Sequence, residues 1–513
     1  WTHVKGTDKY TAQILLDKDA EYDIDVNYTD KSGNKAEEVN AHFVIDQTAP
    51  VVEVTYDNDD FKNIENGIEY YDAKRTATVT VEETNFDAQD VIFKIISEND
   101  NGKAVELDSV LTSANDLGEN MYRIASAKWT HVKGTDKYTA QILLDKDAEY
   151  NISVNHTDKS GNKAEEVNAH FVIDQTAPEI NVTYIYNDDD LKDEINGIEY
   201  YSNAVTATIE ITEHNWLWDP DELKITATDI TGKETVVPVL NGWNDNGNTH
   251  TATICFSDDA NYVFEISNTD KAGNKSEYKK TFVVDKTAPV IENVKYDKNI
   301  ITALIDNLTF GIFFKDTAEI TVEASDMTSG IKGIVLISDV DDFDTQVREY
   351  EAKEIFLEPL STAETDRGTE TAKFSIPANF KGEIGIEVVD YSCNSVSATN
   401  QDLTKNIEVI EQKDSDTKII VDNISPVISM GFDNNAFEEH GNINYYKDNR
   451  TATVTVNEAN FFAEDVYFTI ASENDNGESA ALSPVLVAAT DKGKNIYRIE
   501  AENWSQEDGT DIY

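Results

Sequence analysis

Asp46-Gln47-Thr48-Ala49-Pro50 stands sixteen residues after Asp30-Lys31-Ser32-Gly33-Asn34. The pair returns as Asp158 to Asn162 with Asp174 to Pro178, as Asp270 to Asn274 with Asp285 to Pro289, and more loosely as Asp390 to Asn394 with Asp422 to Pro426. The first motif is turn chemistry, because Gly and Asn accept a positive φ and Asp bonds its own backbone. The second is a stop, because Pro has no N–H with which to continue a sheet ladder. A hairpin, a last strand and a stop therefore recur, and internal repetition of this kind sets the fold before any finer signal is weighed.

The linkers divide the 513 residues into a partial unit at 1–50, whole units at 51–178, 179–289 and 290–426, and a partial unit at 427–513. Whole units of this length are of ordinary domain size. Residues 1–50 repeat 129–178 with three differences, Asp23 for Asn151, Asp25 for Ser153 and Tyr28 for His156. Trp504 to Tyr513 realigns with Trp129 to Tyr138. The sequence is therefore expected to be a window on a longer array, cut inside a domain at either end.

Within 51–178 the strand signals are short and frequent. Val51 to Tyr56 alternates apolar and polar residues, a loop is expected over Asp57 to Asp60 and Asn66-Gly67, and Tyr70-Tyr71 follows. Arg75 to Val81 is β-branched and alternating, the strongest strand signal of the unit. Val91 to Ile96, a weaker segment at Tyr122 to Ile124, Tyr138 to Leu144, Tyr150 to His156 and Val167 to Ile173 complete it. About seven short strands without helical periodicity predict an antiparallel sandwich, and the chain as a whole an all-β tandem array of such sandwiches.

The formal charge is −57, from 99 acidic and 42 basic residues spread along the chain, which argues against nucleic acid as a partner and against anionic membranes. A hydrophobic fraction of 39% is enough for packed cores, so the charge does not imply disorder. Cys255 and Cys393 lie in different units and are not expected to pair. The most apolar stretch, Ile300 to Phe314, is interrupted by Asp306, Asn307 and Gly311, and no membrane insertion is expected.

Tyr22, Tyr150 and Tyr262 open the penultimate strand of their units, where a sandwich places a tyrosine corner. Trp1, Trp129, Trp243 and Trp504 precede a strand, and a lid over the core is favoured over a sugar-stacking platform. The eight histidines form no zinc pattern and are expected at the surface.

Tyr-Tyr, Thr-Ala-Thr-Val/Ile, Glu-x-Asn-Phe/Trp, Asp-x-Ser/Ala-Gly-Asn and Asp-x-Thr-Ala-Pro together resemble the bacterial Ig-like repeats of large surface proteins, particularly of Gram-positive anaerobes. Unit 290–426 departs from the pattern, with Phe313-Phe314 for the tyrosines and Asp316-Thr317-Ala318-Glu319 at the second strand, and resembles a second Ig-like subtype. The resemblance implies an extracellular array acting as stalk, spacer or adhesive surface and names no ligand; a host or cell-surface protein or glycan stands as the open partner class.

No nucleophile elbow, phosphate-cradling Gly loop or dinucleotide fingerprint occurs, and a non-catalytic role is expected. One constellation points to chemistry. Alternate loops of a sandwich share a pole, so the linker entering a unit, the loop after its second strand and its penultimate hairpin should meet. The converging candidates are Asp46, Glu83, Asn85 and Asp158 for unit 51–178, and Asp174, Glu213, Asn215 and Asp270 for unit 179–289. Unit 290–426 offers Asp285, Glu323, Asp326 and Asp390. Hard oxygen donors of this kind suit Ca²⁺ better than zinc or copper; the alternative is that these residues only shape turns. Calcium at domain junctions is also what resemblance to some giant bacterial adhesins implies. Two further expectations follow. The partial units should associate head to tail through open edges, and a carbohydrate-binding accessory region of a glycosidase stands as the alternative to a stalk.

Overall fold

The computed structural model describes residues 1–296, 312–314, 317–352, 368–398, 419–435 and 438–513. Most of the Ile300 to Phe314 run, and Asp316, lie outside them. The described secondary structure is strand, apart from 3-10 turns of three residues such as Ser126–Lys128 and Pro220–Glu222. The units are immunoglobulin-like β-sandwiches.

In unit 51–178 one sheet has the order Thr130–His131, Lys137–Leu144, Arg75–Glu82, Val51–Tyr56. The facing sheet runs Leu111–Ser113, Met121–Ile124, Val91–Glu98, Ala148–His156, Val167–Ile173, Ile68–Tyr71, Asn63–Glu65. All pairs are antiparallel except Val167–Ile173 against Ile68–Tyr71. The alternation in the sequence sets the faces. Ala77, Val79 and Val81 point inward while Thr76, Thr78 and Thr80 stay partly exposed, and Val91, Phe93 and Ile95 meet them from the opposite sheet. Arg75 is buried at the other end, its guanidinium 3.9 Å from the Tyr71 ring centre and 4.0 Å from that of Tyr56. Its charge is met by the Asn58 carbonyl at 2.8 Å and Asp59 at 3.0 Å.

The segment expected as a loop ahead of Tyr70-Tyr71 is instead a β-hairpin, Asn63–Glu65 with Ile68–Tyr71. Its turn residues Asn66 and Gly67 have φ of 53° and 83°, the left-handed pair that a two-residue hairpin needs. Unit 179–289 repeats this at Asn196-Gly197. The first edge therefore divides between the sheets: Val51–Tyr56 pairs with Arg75–Glu82, and Ile68–Tyr71 crosses to the last strand.

Unit 179–289 has a four-stranded sheet, Glu179–Ile185, Val205–Thr212, Thr249–Phe256, Asn244–Asn246, facing a five-stranded one that ends on Lys275–Val284, Ala260–Thr269 and Leu223–Thr228. In unit 290–426, Ala318–Ser325 lies between Val290–Tyr296 and Thr369–Ile376, and Ile331–Ser338 pairs with Ile384–Asp390. The partial segments hold less: Ala20–Val26 pairs only with Val39–Ile45, and Val427–Phe432 only with Ala452–Asn457.

The tyrosine corner is present three times. The hydroxyls of Tyr22, Tyr150 and Tyr262 donate to the carbonyls of Lys18, Lys146 and Asp258 at 2.9, 3.0 and 2.8 Å. Cys255 and Cys393 are free thiols. Two histidines contradict the expected surface placement. His156 occupies the inward phase of its strand and is buried, and His250 is buried because it stacks face to face on Trp216 with 4.0 Å between ring centres.

Candidate metal centre

The linkers, second-strand loops and hairpins do meet, at three junctions. Carboxylate oxygens of Asp46, Glu83 and Asp158 lie within 4.8 Å of one another, as do those of Asp174, Glu213 and Asp270, and of Asp285, Asp326 and Asp390. Local sequence explains each placement. Val81 points into the core, so Glu83, two residues on, points the same way just past the strand end. Asp158 continues the inward phase of Ala148–His156, and Asp46 precedes the Pro that ends the last strand.

Glu323 is a correction. It lies within the strand Ala318–Ser325, opposite Asn293 and Thr371, on the face turned away from the core, and takes no part in the cluster. The position equivalent to Glu83 and Glu213 is Asp326, just beyond that strand. Asn85 and Asn215 do reach their sites, donating from the side chain to Asp46 Oδ2 at 3.1 Å and to Asp174 Oδ2 at 2.6 Å.

Three residues read only as turn formers turn out to tie the units together. Asn162, Asn274 and Asn394 donate to the main-chain carbonyls of Asp46, Asp174 and Asp285 at 3.0, 2.9 and 3.0 Å. Each also donates to its own hairpin carboxylate, Asp158, Asp270 or Asp390. Their position at the end of every Asp-x-x-x-Asn motif was the available signal. A fourth, incomplete copy was also missed: Asn460 donates from its side chain to Asp422 Oδ2 at 2.6 Å and from its N–H to Glu458 Oε1 at 2.8 Å. Glu458-x-Asn460 repeats Glu83-x-Asn85, so the sequence held this signal too.

Electrostatically the clusters are concentrations of like charge. Burial, reinforced by Asp174 and Asp270, pushes Glu213 up to about 8. Asp270 is carried to about 6 by burial, against the hydrogen bonds from Asn274. In the third junction burial and the neighbouring charges push Asp390 up to about 8 and Asp285 to about 7. The first junction is milder: burial raises Glu83, whereas at Asp158 the opposing effect of burial is outweighed by hydrogen bonds from Asn162. That gradient follows exposure, since Asp46 is half-buried while Asp174 and Asp285 are buried.

The donor set consists of carboxylate oxygens with no sulfur. Two oxygens on one Ca²⁺ at about 2.3 to 2.6 Å stand at most about 5 Å apart, and the 4.8 Å limit within which each triad falls is compatible with that span. The triads thus fit a hard divalent cation, with Asp174, Glu213 and Asp270 the residues that would hold it in unit 179–289. The same carboxylates also shape turns, as in Thr176 N–H to Asp174 Oδ1 at 3.1 Å and Asn162 N–H to Asp158 Oδ1 at 2.8 Å. The two roles coexist.

Around the carboxylates the junctions are packed. Ala272, in the hairpin of one unit, is buried against Tyr70 and Val172 of the unit before it, and Lys271 pairs with Glu65 at 2.6 Å. At the next junction Tyr391 meets Tyr200 with 5.5 Å between ring centres, Lys332 pairs with Asp193 at 2.8 Å, and the Ile230 N–H donates to the Met327 carbonyl at 2.8 Å.

Tryptophans close the same pole in units 51–178 and 179–289 and in the partial unit 427–513. Phe86, Trp129 and Tyr138 form an aromatic trio that recurs as Trp216, Trp243 and His250 and as Phe461, Trp504 and Tyr513, with near-parallel stacking of the first and third rings at 4.2, 4.0 and 4.2 Å. Trp129 is buried and its indole N–H donates to the Ile124 carbonyl at 3.3 Å, which makes it a lid. Trp1, at 89% exposed, has no core beneath it. Trp218 is an addition to the trio, parallel to Trp216 with ring centres 6.2 Å apart.

No family model matches the sequence, and no curated protein matches it. Among solved structures a marsupial T cell receptor chain aligns at 10% identity with a TM-score of 0.13, over 45% of this chain and 100% of that one. So slight a likeness carries no functional argument. Among the described residues no helix is long and apolar enough to cross a membrane.

Proposed function

We propose that this chain is a non-catalytic, extracellular Ig-like array of a bacterial surface protein, a stalk or adhesive region whose junctions calcium makes rigid. One observation carries the reading: the same carboxylate triad, drawn from linker, second-strand loop and hairpin and buried except at half-buried Asp46, occurs at three successive junctions. Without a cation, the acids of one pocket either keep protons or, as they ionise, repel one another and favour opening of the joint. A divalent ion reverses the sign and crosslinks linker to domain. Extracellular calcium is about millimolar, so a site with a dissociation constant of about 10⁻⁴ M would be largely filled and contribute about 1.4 kcal/mol to the closed junction.

Small-angle scattering of the chain in calcium and in chelator tests this. A longer, narrower distance distribution in calcium is expected, and it should shorten in the double variant Asp174→Asn, Asp270→Asn. Superimposable profiles, with no heat of calcium binding, would leave the acids as turn formers only. A second reading, carbohydrate binding, rests on the half-buried parallel pair Trp216 and Trp218 beside exposed Leu217. A glycan array on which the parent binds a sugar and Trp218→Ala does not would favour that reading.

A further inference from the structure

We propose that Ile230 is a knob seated in a socket of the following unit, where it holds units 179–289 and 290–426 at one angle with or without a cation, and, resting on the calcium reading above, that the stiffness a cation controls resides at the joint between 51–178 and 179–289. Ile230 lies at the tip of the turn from Asp229 to Lys233, which is closed by Asp229 N–H to the Lys233 carbonyl at 2.8 Å and Gly232 N–H to the Asp229 carbonyl at 3.0 Å. An isoleucine at such a tip projects away from the core of its own unit, yet Ile230 is fully buried. What covers it belongs to the next unit. Its N–H donates to the Met327 carbonyl at 2.8 Å, and its side chain sits over Gly330 and Gly368. A Cβ on Gly330 would stand 2.8 Å from Ile230 Cδ1, and one on Gly368 3.2 Å from Ile230 Cγ2. The two glycines give the socket its depth.

Two further anchors stop the units turning about that knob. Asn261, fully buried one residue before the corner tyrosine Tyr262, donates its side-chain amide to the Thr328 carbonyl of the next unit at 2.9 Å and to the Thr228 carbonyl of its own at 3.2 Å. Across the seam, Tyr391 packs on Tyr200 and Val283, and Lys332 pairs with Asp193. Contacts at three separate places, two of them dry, fix an angle in a way that one flexible linker does not. The Asp285, Asp326 and Asp390 cluster still responds to a cation locally; what the knob fixes is the orientation of one unit on the other.

The preceding joint has the same frame without the knob. The turn from Asn99 to Lys103 carries the same two bonds, Asn99 N–H to the Lys103 carbonyl at 2.9 Å and Gly102 N–H to the Asn99 carbonyl at 2.8 Å, and at the place of Ile230 it presents Asp100, which is exposed. The receiving side differs to match. Glu213 N–H donates to the Asn248 carbonyl as Asp326 N–H does to that of Gly368, so Asn248 stands where the socket has a glycine. Glu149, at the place of Asn261, is exposed and pairs with His170 of its own unit. That seam is held by Ala272 against Tyr70 and Val172, by the Lys62 stem against Gly273, and by the partly exposed pair of Lys271 with Glu65, a kind of contact that contributes little. Asp100 also adds charge of the wrong sign. Burial raises both Asp174 and Glu213, and Asp100, across the unit boundary, gives a smaller push in the same direction. Ionised, these acids drive the first joint apart, and a cation there has work to do that the apolar Ile230 makes unnecessary at the second.

Distances between paired spin labels on the full chain test this. In a Cys255→Ser, Cys393→Ser background, a first pair, Glu53→Cys with Glu210→Cys, spans the first joint, and a second pair, Glu210→Cys with Lys373→Cys, spans the second; all three positions are exposed on outer strand faces. The second pair should give a narrow distance distribution, the same in chelator and in millimolar calcium. The first pair should be broad in chelator and narrow in calcium. Ile230→Asp, which gives the second joint the residue of the first, should broaden the second pair in chelator, and Ile230→Ala, which shortens the knob without adding charge, should broaden it partway. A second pair that is broad in the parent in chelator, or that stays narrow in both variants, would overturn the knob. A first pair as narrow in chelator as the second would overturn the contrast between the joints. A first pair equally broad in chelator and calcium, beside a narrow second pair that the Ile230 variants broaden, would uphold the lock and overturn the calcium reading.

Discussion

Asp390→Asn separates the two roles of the junction carboxylates. Asp390 is fully buried, and burial together with Asp285 and Asp326 carries its carboxyl from an ordinary 3.8 to about 8. At about 1.4 kcal/mol per tenfold change, that displacement sets a ceiling of about 5 to 6 kcal/mol on the cost of ionising Asp390 beside its two neighbours. Local opening and water entry leave only part of that ceiling. The sign is that of an acid whose folded value is raised. The stabilising protonated form is fully present near pH 4 and is lost as pH rises through about 8, so in chelator the parent junction weakens across that interval. Asparagine keeps the acceptor for Asn394 N–H, gives up the second acceptor to which the Asn394 side chain donates, and removes one charge. In chelator at pH 8, hydrogen exchange of the Ile384–Asp390 strand should therefore slow in the variant by up to roughly tenfold, a gain of at most about 1.4 kcal/mol. In millimolar calcium the order reverses, because the parent gains the ion and the variant does not. If Asp390→Asn speeds exchange equally in chelator and in calcium, repulsion at this junction is not the operative force and the carboxylates only shape the hairpin.

Tyr150→Phe removes the hydroxyl that bonds the Lys146 carbonyl while leaving the ring against Phe171, and should cost about 0.5 to 1.5 kcal/mol; an unchanged exchange rate in Ala148–His156 would sink the tyrosine-corner assignment. Cys393 sits at φ 60° where the equivalent Gly161 and Gly273 have 90° and 91°. Cys393→Gly should therefore stabilise its unit by about 0.5 to 1 kcal/mol, the relief of left-handed strain less the added freedom of the unfolded chain, and a lower melting temperature would contradict that balance.

The repeat motifs by themselves determined the all-β class, the positions of the strong strands and the pole at which the acids meet. Those features are local: alternation fixes which face of Arg75–Glu82 is buried, and Asp-x-x-Gly-Asn fixes a turn wherever it occurs. The tyrosine corner was legible for the same reason, since it spans four residues of one chain segment. What the tertiary structure decided depends on partners distant in sequence. The hairpin at Asn63–Tyr71 exists because the last strand, about 100 residues later, offers a parallel edge to Ile68–Tyr71. Glu323 and Asp326 are both acids near the end of one strand, and only the phase of that strand within the packed sandwich turns the second inward and the first out. His156 and His250 read as polar surface residues, yet strand phase and an aromatic neighbour bury them. The asparagines that bind one unit to the next look identical to ordinary turn formers in sequence. Only the approach of a second domain gives their side chains a carbonyl to hold.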